Sequence, residues 1–193
     1  PENFNDQGTA AQTNGGILSI LAGADGKGAL TFSRNAVVNN IASIGTLTIS
    51  AGDVSINSTT PVTVGTLNLS GGILDGTAEI DLTGANSTWT GGTMAGTGPL
   101  VVEPVAVLTV TASPSVSASR PFDNNGTVNI NAGALELDGL GLHSGAFAIA
   151  AGATLVFGGK SPQNFTPTSS LTGSGAVVFQ SGGGDGKRAA VEA

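Results

Sequence analysis

The densest group of side chains able to do chemistry is Asp75-Gly76-Thr77-Ala78-Glu79-Ile80-Asp81. In an extended chain successive residues point to opposite faces, so Glu79 and Asp81 share the outer face of a strand while Ile80 points inward. Two neighbouring carboxylates can act on a glycosidic bond as acid and base. The same pattern equally describes a solvated strand face. A lyase acting on uronate sugars would also need Arg or Lys beside the proton being abstracted, and this stretch has neither. Glu79 and Asp81 therefore enter as candidate ligand-binding residues, and no catalytic residue is assigned.

The other candidates are single residues or partial motifs. His143 is the only histidine, between Leu142 and Ser144 in a Gly-rich stretch. A Ser-His-Asp arrangement with Ser144 and Asp138 is conceivable, but adjacency in sequence is not triad geometry and no Gly-x-Ser-x-Gly elbow exists. The expectation is a surface turn histidine. Gly182-Gly183-Gly184-Asp185-Gly186 and Ala24-Asp25-Gly26-Lys27-Gly28 echo calcium-binding nonapeptides, yet neither repeats at nine residues and each supplies one carboxylate. No metal or cofactor is expected. Thr46-Leu47-Thr48, Thr88-Trp89-Thr90 and Thr109-Val110-Thr111 suggest an ice-binding threonine ladder, which Asn68 and Asn129 interrupt. Trp89, the only tryptophan in a chain without tyrosine, is the one candidate for an exposed platform on which a sugar ring could stack; a structural place at a coil corner is the alternative.

These residues sit on strands. Runs of three to six residues alternate apolar and polar between Gly, Asn, Asp or Ser, and no segment of helical length carries helical periodicity. Gly45-Thr46-Leu47-Thr48-Ile49-Ser50-Ala51-Gly52 places Leu47 and Ile49 on one face and Thr46, Thr48 and Ser50 on the other. The phrase returns as Gly65-Thr66-Leu67-Asn68-Leu69-Ser70-Gly71-Gly72 and as Gly126-Thr127-Val128-Asn129-Ile130-Asn131-Ala132-Gly133, at about 20 residues and then about three times that spacing.

Two apolar columns follow. One runs through Leu47/Ile49, Leu67/Leu69, the neighbourhood of Trp89, Leu108/Val110, Val128/Ile130 and Phe147/Ile149; the other through Val54/Ile56, Ile73/Leu74, Leu135/Leu137, Leu155/Phe157 and Val177/Phe179. The leftover length allows a third, short face. A longer repeat overlies these, matching Phe4-Asn5-Asp6-Gln7-Gly8-Thr9 to Phe122-Asp123-Asn124-Asn125-Gly126-Thr127 and Gly28-Ala29 to Gly145-Ala146.

Like residues at a fixed spacing favour a solenoid over the main rival, a pair of β-sandwiches, because residues one coil apart stack in parallel sheets at about 4.8 Å. The expected fold is all-β, a right-handed parallel β-helix (β-solenoid) of eight or nine coils, about 20–22 residues each. It is read as one domain over residues 1–184, with 1–44 as degenerate first coils and 185–193 as a flexible tail.

Composition narrows the partners. Six basic residues against thirteen acidic ones give a net charge of −7. Nucleic acid and anionic membranes both require a basic stripe, so neither is expected. No apolar run is long enough to span a membrane, and the first residues carry no signal peptide, so any targeting or anchoring segment is expected elsewhere. With no cysteine, disulfides and thiolate metal sites are excluded.

Trp89-Thr90-Gly91-Gly92-Thr93-Met94-Ala95-Gly96-Thr97-Gly98, read with Gly65–Gly72, Phe147–Gly159 and Leu171-Thr172-Gly173-Ser174-Gly175-Ala176-Val177, resembles the repeats of large bacterial secreted or outer-membrane proteins, the filamentous-haemagglutinin-like and autotransporter-passenger-like β-helices. The resemblance spans residues 4–184, with 9–44 as a degenerate copy. It implies a β-helical fold, an extracellular or cell-surface location and an adhesive, matrix or stalk role, and it carries over no catalytic residues. The sequence thus reads as a non-catalytic structural or adhesive segment of a larger surface protein. The alternative is a polysaccharide-binding module or polysaccharide-degrading β-helix enzyme. Expected partners are host or matrix glycans or proteins, neighbouring repeats of the same parent chain and, through open ladder edges, further copies end to end.

Overall fold

The computed structural model describes residues 4–6, 17–18, 28–39, 41–158, 161–180 and 188–191. The chain winds as a parallel β-solenoid of about seven turns, without helices among the described residues. Short apolar–polar alternation gives each strand one buried face, and the neighbouring coils supply the hydrogen bonds that a lone strand lacks. One hydrophobic core runs from Leu30 to Val177, with Phe165, Leu171 and Phe179 packed against its end.

Three strand faces enclose that core. On the first, Leu30, Leu47 and Leu67 stack in register, as do Leu69, Trp89, Val110, Ile130 and Ile149. On the second, Ala36, Val54, Leu74, Met94, Ala118, Leu137, Phe157 and Phe179 follow one another. The third, for which the sequence left only room, carries Ile44, Val64, Leu82, Val102, Asn124, His143 and Phe165.

Eight successive first-face rungs from Leu30 to Leu171, joined by about seven turns, agree with the expected eight or nine coils, and corner insertions lengthen some coils, as between Met94 and Ala118 or between Phe147 and Leu171. Other expectations need correction. Ile73 does not share the interior with Leu74: adjacent strand residues face opposite ways, leaving Ile73 exposed and Leu74 buried. The longer repeat holds in one half only. Gly28-Ala29 and Gly145-Ala146 both open first-face strands, but Phe4 pairs with Leu30 on the first face whereas Phe122 pairs with Leu100 on the third. Arg188–Val191 pairs antiparallel with Val177, Val178, Phe179 and Gln180, since the open edge of the last rung accepts an extended segment within reach.

Corners depend on glycine where coils approach most closely. Gly72 has φ +72°, and a Cβ there would collide with the backbone of Gly52 and Ala51 in the preceding coil. Gly152 has φ +80° with open space around the same position. Gly72→Ala should therefore cost clearly more than the ~1 kcal/mol that a left-handed alanine costs by itself, and Gly152→Ala about that amount. Urea unfolding of the two variants checks this; equal losses would mean that coil spacing is not what requires Gly72.

Candidate functional site

The carboxylate pair lies on the third face. Ile80 and Leu82 point into the core, and Asp81 stands outward between Thr63 of the coil before and Val101 of the coil after. Glu79 immediately precedes this strand, its carbonyl accepting the Val62 N–H at 2.9 Å. Glu103 follows the equivalent strand one coil on, its N–H donating to the Leu82 carbonyl at 3.0 Å. One Asp81 carboxylate oxygen is shielded from water without a partner.

That shielding, followed by the charges of Glu79 and Glu103 and a hydrogen bond shared with Glu79, pushes the Asp81 carboxyl up to about 6. Like-charged neighbours share a proton more readily than they both ionise. At and below about pH 6 Asp81 therefore holds a proton, and its carboxyl can then donate as well as accept hydrogen bonds to hydroxyls. Neither described arginine side chain joins it: Arg34 sits at the corner beside Gly52, and Arg120 is enclosed in the interior. No group of three or more His, Cys, Asp or Glu among the described residues is arranged to hold a metal ion.

Trp89 is not a surface platform. It lies wholly inside, in register between Leu69 and Val110, with its indole N–H directed at the Gly92 carbonyl at 3.4 Å. Residues Leu67, Leu69 and Trp89 alternate inward on this face, so the largest side chain buries the most apolar area. No sugar can reach its ring in this fold. The structure therefore brings Glu79 and Asp81 together and places Trp89 apart from them, in the core of another face.

His143 also departs from expectation. Instead of a surface turn it occupies the third face's interior, fully buried, with ring centroids 5.1 Å from Phe147, 5.0 Å from Phe165 and 5.8 Å from Phe157. The Gln163 amide donates to the Gly139 carbonyl at 2.6 Å, which turns its oxygen toward His143 Nε2 at 2.9 Å. Nε2 must then carry the proton, leaving Nδ1 unprotonated and without a partner. The Ser144 hydroxyl donates to Asn125 at 2.8 Å, so no Ser-His-Asp arrangement is assembled.

Burial holds the His143 imidazolium below the usual histidine range, with the Gln163 bond and the Asp123 charge opposing. A folded pKa lower than the unfolded one means stability is complete above about pH 6.5 and is lost as pH falls below that value. Asp81 acts in the opposite sense, since its raised pKa favours the fold as pH falls through about 6. In an Asp81→Asn background the urea midpoint should drop between about pH 7.5 and 5, and His143→Phe should flatten that drop. A slope unchanged by His143→Phe would place the acid sensitivity elsewhere.

Sequence reasoning missed Arg120 altogether. Its guanidinium lies inside the solenoid, Nε donating to the Gly98 carbonyl at 2.7 Å and one terminal nitrogen to the Ala78 carbonyl at 2.8 Å; the other terminal nitrogen has no partner. Burial lowers its pKa to about 10 against the opposing charge of Asp75. Ala78, Gly98 and Arg120 occupy the same corner of three successive coils, as the register of Ile80, Leu100 and Phe122 requires, so one side chain ties three coils together. A signal was present: Val116, Ala118, Arg120, Phe122 and Asn124 alternate without a break, and all are buried.

The two calcium-like phrases, at 182–186 and 24–27, fall outside the described residues. No protein-family model, no curated protein and no solved structure matches this chain. The β-solenoid agrees with the repeat-protein architecture to which its sequence points.

Proposed function

We propose that this chain is a non-catalytic structural and adhesive segment of a larger extracellular or cell-surface protein, of the kind that filamentous-haemagglutinin-like and autotransporter-passenger-like repeats build. The observation that carries this reading is the unbroken core running through about seven turns, a stack roughly 30–35 Å long at the usual strand spacing. Even the buried polar groups among the described residues, Ser87, Arg120, Asn124 and His143, are directed at backbone and side chains within the stack. Such an object spaces or displays what is joined to it, with stability summed over neighbouring coils.

Small-angle scattering combined with limited proteolysis tests the rod: an elongated particle yielding a resistant fragment of the coil region is expected, and a compact, readily digested one contradicts it. Surface fractionation of cells producing the parent protein tests the location. Self-association through the end coils should appear as a concentration-dependent mass in light scattering, and a constant mass up to high concentration would remove it.

One observation favours a second reading, polysaccharide degradation: the neighbouring Glu79 and Asp81 carboxyls, with Asp81 pushed up to about 6. The structural reading expects no release of reducing sugar from neutral or acidic polysaccharides. Release that Asp81→Asn and Glu79→Gln both abolish would replace it with the enzymatic one.

A further inference from the structure

The outward positions of the first face form a single row along the solenoid axis. Thr31 is in register with Thr48, Thr48 with Asn68, Asn68 with Thr88, Thr88 with Thr109, Thr109 with Asn129, Asn129 with Ala148, and Ala148 with Thr172. In the sequence Asn68 and Asn129 look like breaks in a threonine ladder. In register they are links, because an amide offers both a donor and an acceptor, and Thr88 Oγ1 donates to Asn68 Oδ1 at 3.0 Å. From Thr31 to Asn129 every rung therefore presents a small polar group, about 4.8 Å from the next.

Charge is distributed unevenly around the coil. The first-face segments Ala29–Phe32, 46–49, 66–69, 87–89, 107–110, 127–130, Ala146–Ile149 and Ser170–Gly173 contain no Asp, Glu, Lys or Arg. The second face carries Asp53, Asp75 and Glu136, and the third Asp81 and Asp123 flanked by Glu79 and Glu103. In a chain of net charge −7 the first-face strands from Ala29 to Gly173 thus carry no charge; Asp6, on the strand that pairs with Ala29–Phe32, lies beyond that stretch. A charged partner gains nothing there, whereas an uncharged one docks without stripping water from any ion.

The dimensionality of the row selects the partner. The row two residues earlier along each strand includes Ala29, Thr46, Thr66, Val107, Thr127, Ala146 and Ser170, and Val107 and Ala146 break it; the row two residues later loses register, Ser70 pairing with Gly91 and Thr111 with Ala132. An ice surface needs a regular two-dimensional lattice, while a linear polymer needs only one continuous track. With Trp89 buried beneath the row, recognition falls to hydroxyls, amides and threonine methyls, each weak alone and summed over rungs.

We propose that the row from Thr31 to Asn129 is a docking track for an uncharged, hydroxyl-rich polysaccharide lying parallel to the solenoid axis. The inference rests on the adhesive part of the function proposed above and gives it a face and a ligand class.

The test is affinity electrophoresis of the full chain in gels containing hydroxyethyl cellulose, with sedimentation on microcrystalline cellulose and with polygalacturonate as the acidic comparison. The expected result is retardation by the neutral glucan and none by polygalacturonate. Thr88→Asp/Thr109→Asp should lose roughly tenfold or more in apparent affinity by placing unpaired charges in the contact. Thr88→Ser/Thr109→Ser, which keeps the hydroxyls, and Thr93→Asp/Ser115→Asp on the second face should stay close to the parent. Circular dichroism and urea midpoints show whether each variant folds, and the serine pair keeps the test decisive if the aspartates do not. Absence of retardation by the neutral glucan, equal losses from both aspartate pairs, or preference for polygalacturonate overturns the proposal. Inhibition of ice recrystallisation without glucan binding overturns it too and assigns the row to ice. The rod itself is judged by scattering and proteolysis, without any glycan, so its failure and that of the track are separable.

Discussion

Leu69→Asp should unfold the coils around it, at a cost of about 4 kcal/mol or more, while Asn68→Asp next to it should shift stability by no more than about 0.5 kcal/mol. Leu69 is 1% exposed and stacked in register between Ile49 and Trp89. An aspartate there loses the apolar burial and places a carboxylate where no donor waits, so it must either ionise in the core or take up a proton at neutral pH. Asn68 points outward, and its side-chain oxygen accepts from Thr88, a role that aspartate retains. Because each coil leans on its neighbours, hydrogen exchange in Leu69→Asp should accelerate in the coils of Leu47 and Trp89 before distant ones such as that of Leu155. Comparable melting shifts for the two variants would contradict the assignment of faces.

Arg120→Ala ranks second, at about 3–5 kcal/mol. Removing the side chain strands the Ala78 and Gly98 carbonyl oxygens, each costing roughly 1–3 kcal/mol when buried without a donor, and leaves a cavity at the corner. Arg120→Met separates the two causes: it fills much of the space and removes the buried cation, but satisfies no carbonyl. Buried ions are often replaced by apolar groups at little cost when their partners are replaced with them. Here the partners are backbone oxygens that stay. Arg120→Met should therefore remain well below the parent in urea unfolding, and parity with the parent would show that the three-coil tie contributes little.

The two variants mark the limit of what could be read from the residues alone. Leu69's inward direction follows from its place in Thr66-Leu67-Asn68-Leu69, where strict alternation leaves one answer. Arg120 obeys the same alternation, yet residue type argues against burial, since an arginine is almost never fully enclosed unless its donors are met. Its acceptors belong to Ala78 and Gly98, tens of residues away, and only the stacking of corners brings them within reach.

Trp89 and His143 show the same limit from opposite directions. Trp89 sits at an inward register position, but a single aromatic in a polar phrase is also what a sugar platform looks like. His143 lies in a Gly-rich stretch that reads as a turn, and its cage is assembled from Phe147, Phe157 and Phe165 on three separate strands. The Glu79–Asp81 pair was legible because it is local, whereas the added charge of Glu103 comes from the next coil.

By itself the sequence determined the winding: apolar–polar alternation sets which side of each strand is dry, and the spacing of about 20 residues sets which strands stack, both through local steric and hydrophobic rules. Only the tertiary structure decided the third face, the enclosure of Arg120 and His143 and the absence of charge along the first-face strands from Ala29 to Gly173. Each of these depends on how far the corners displace one coil against the next, a sum over insertions and backbone contacts that no local pattern records.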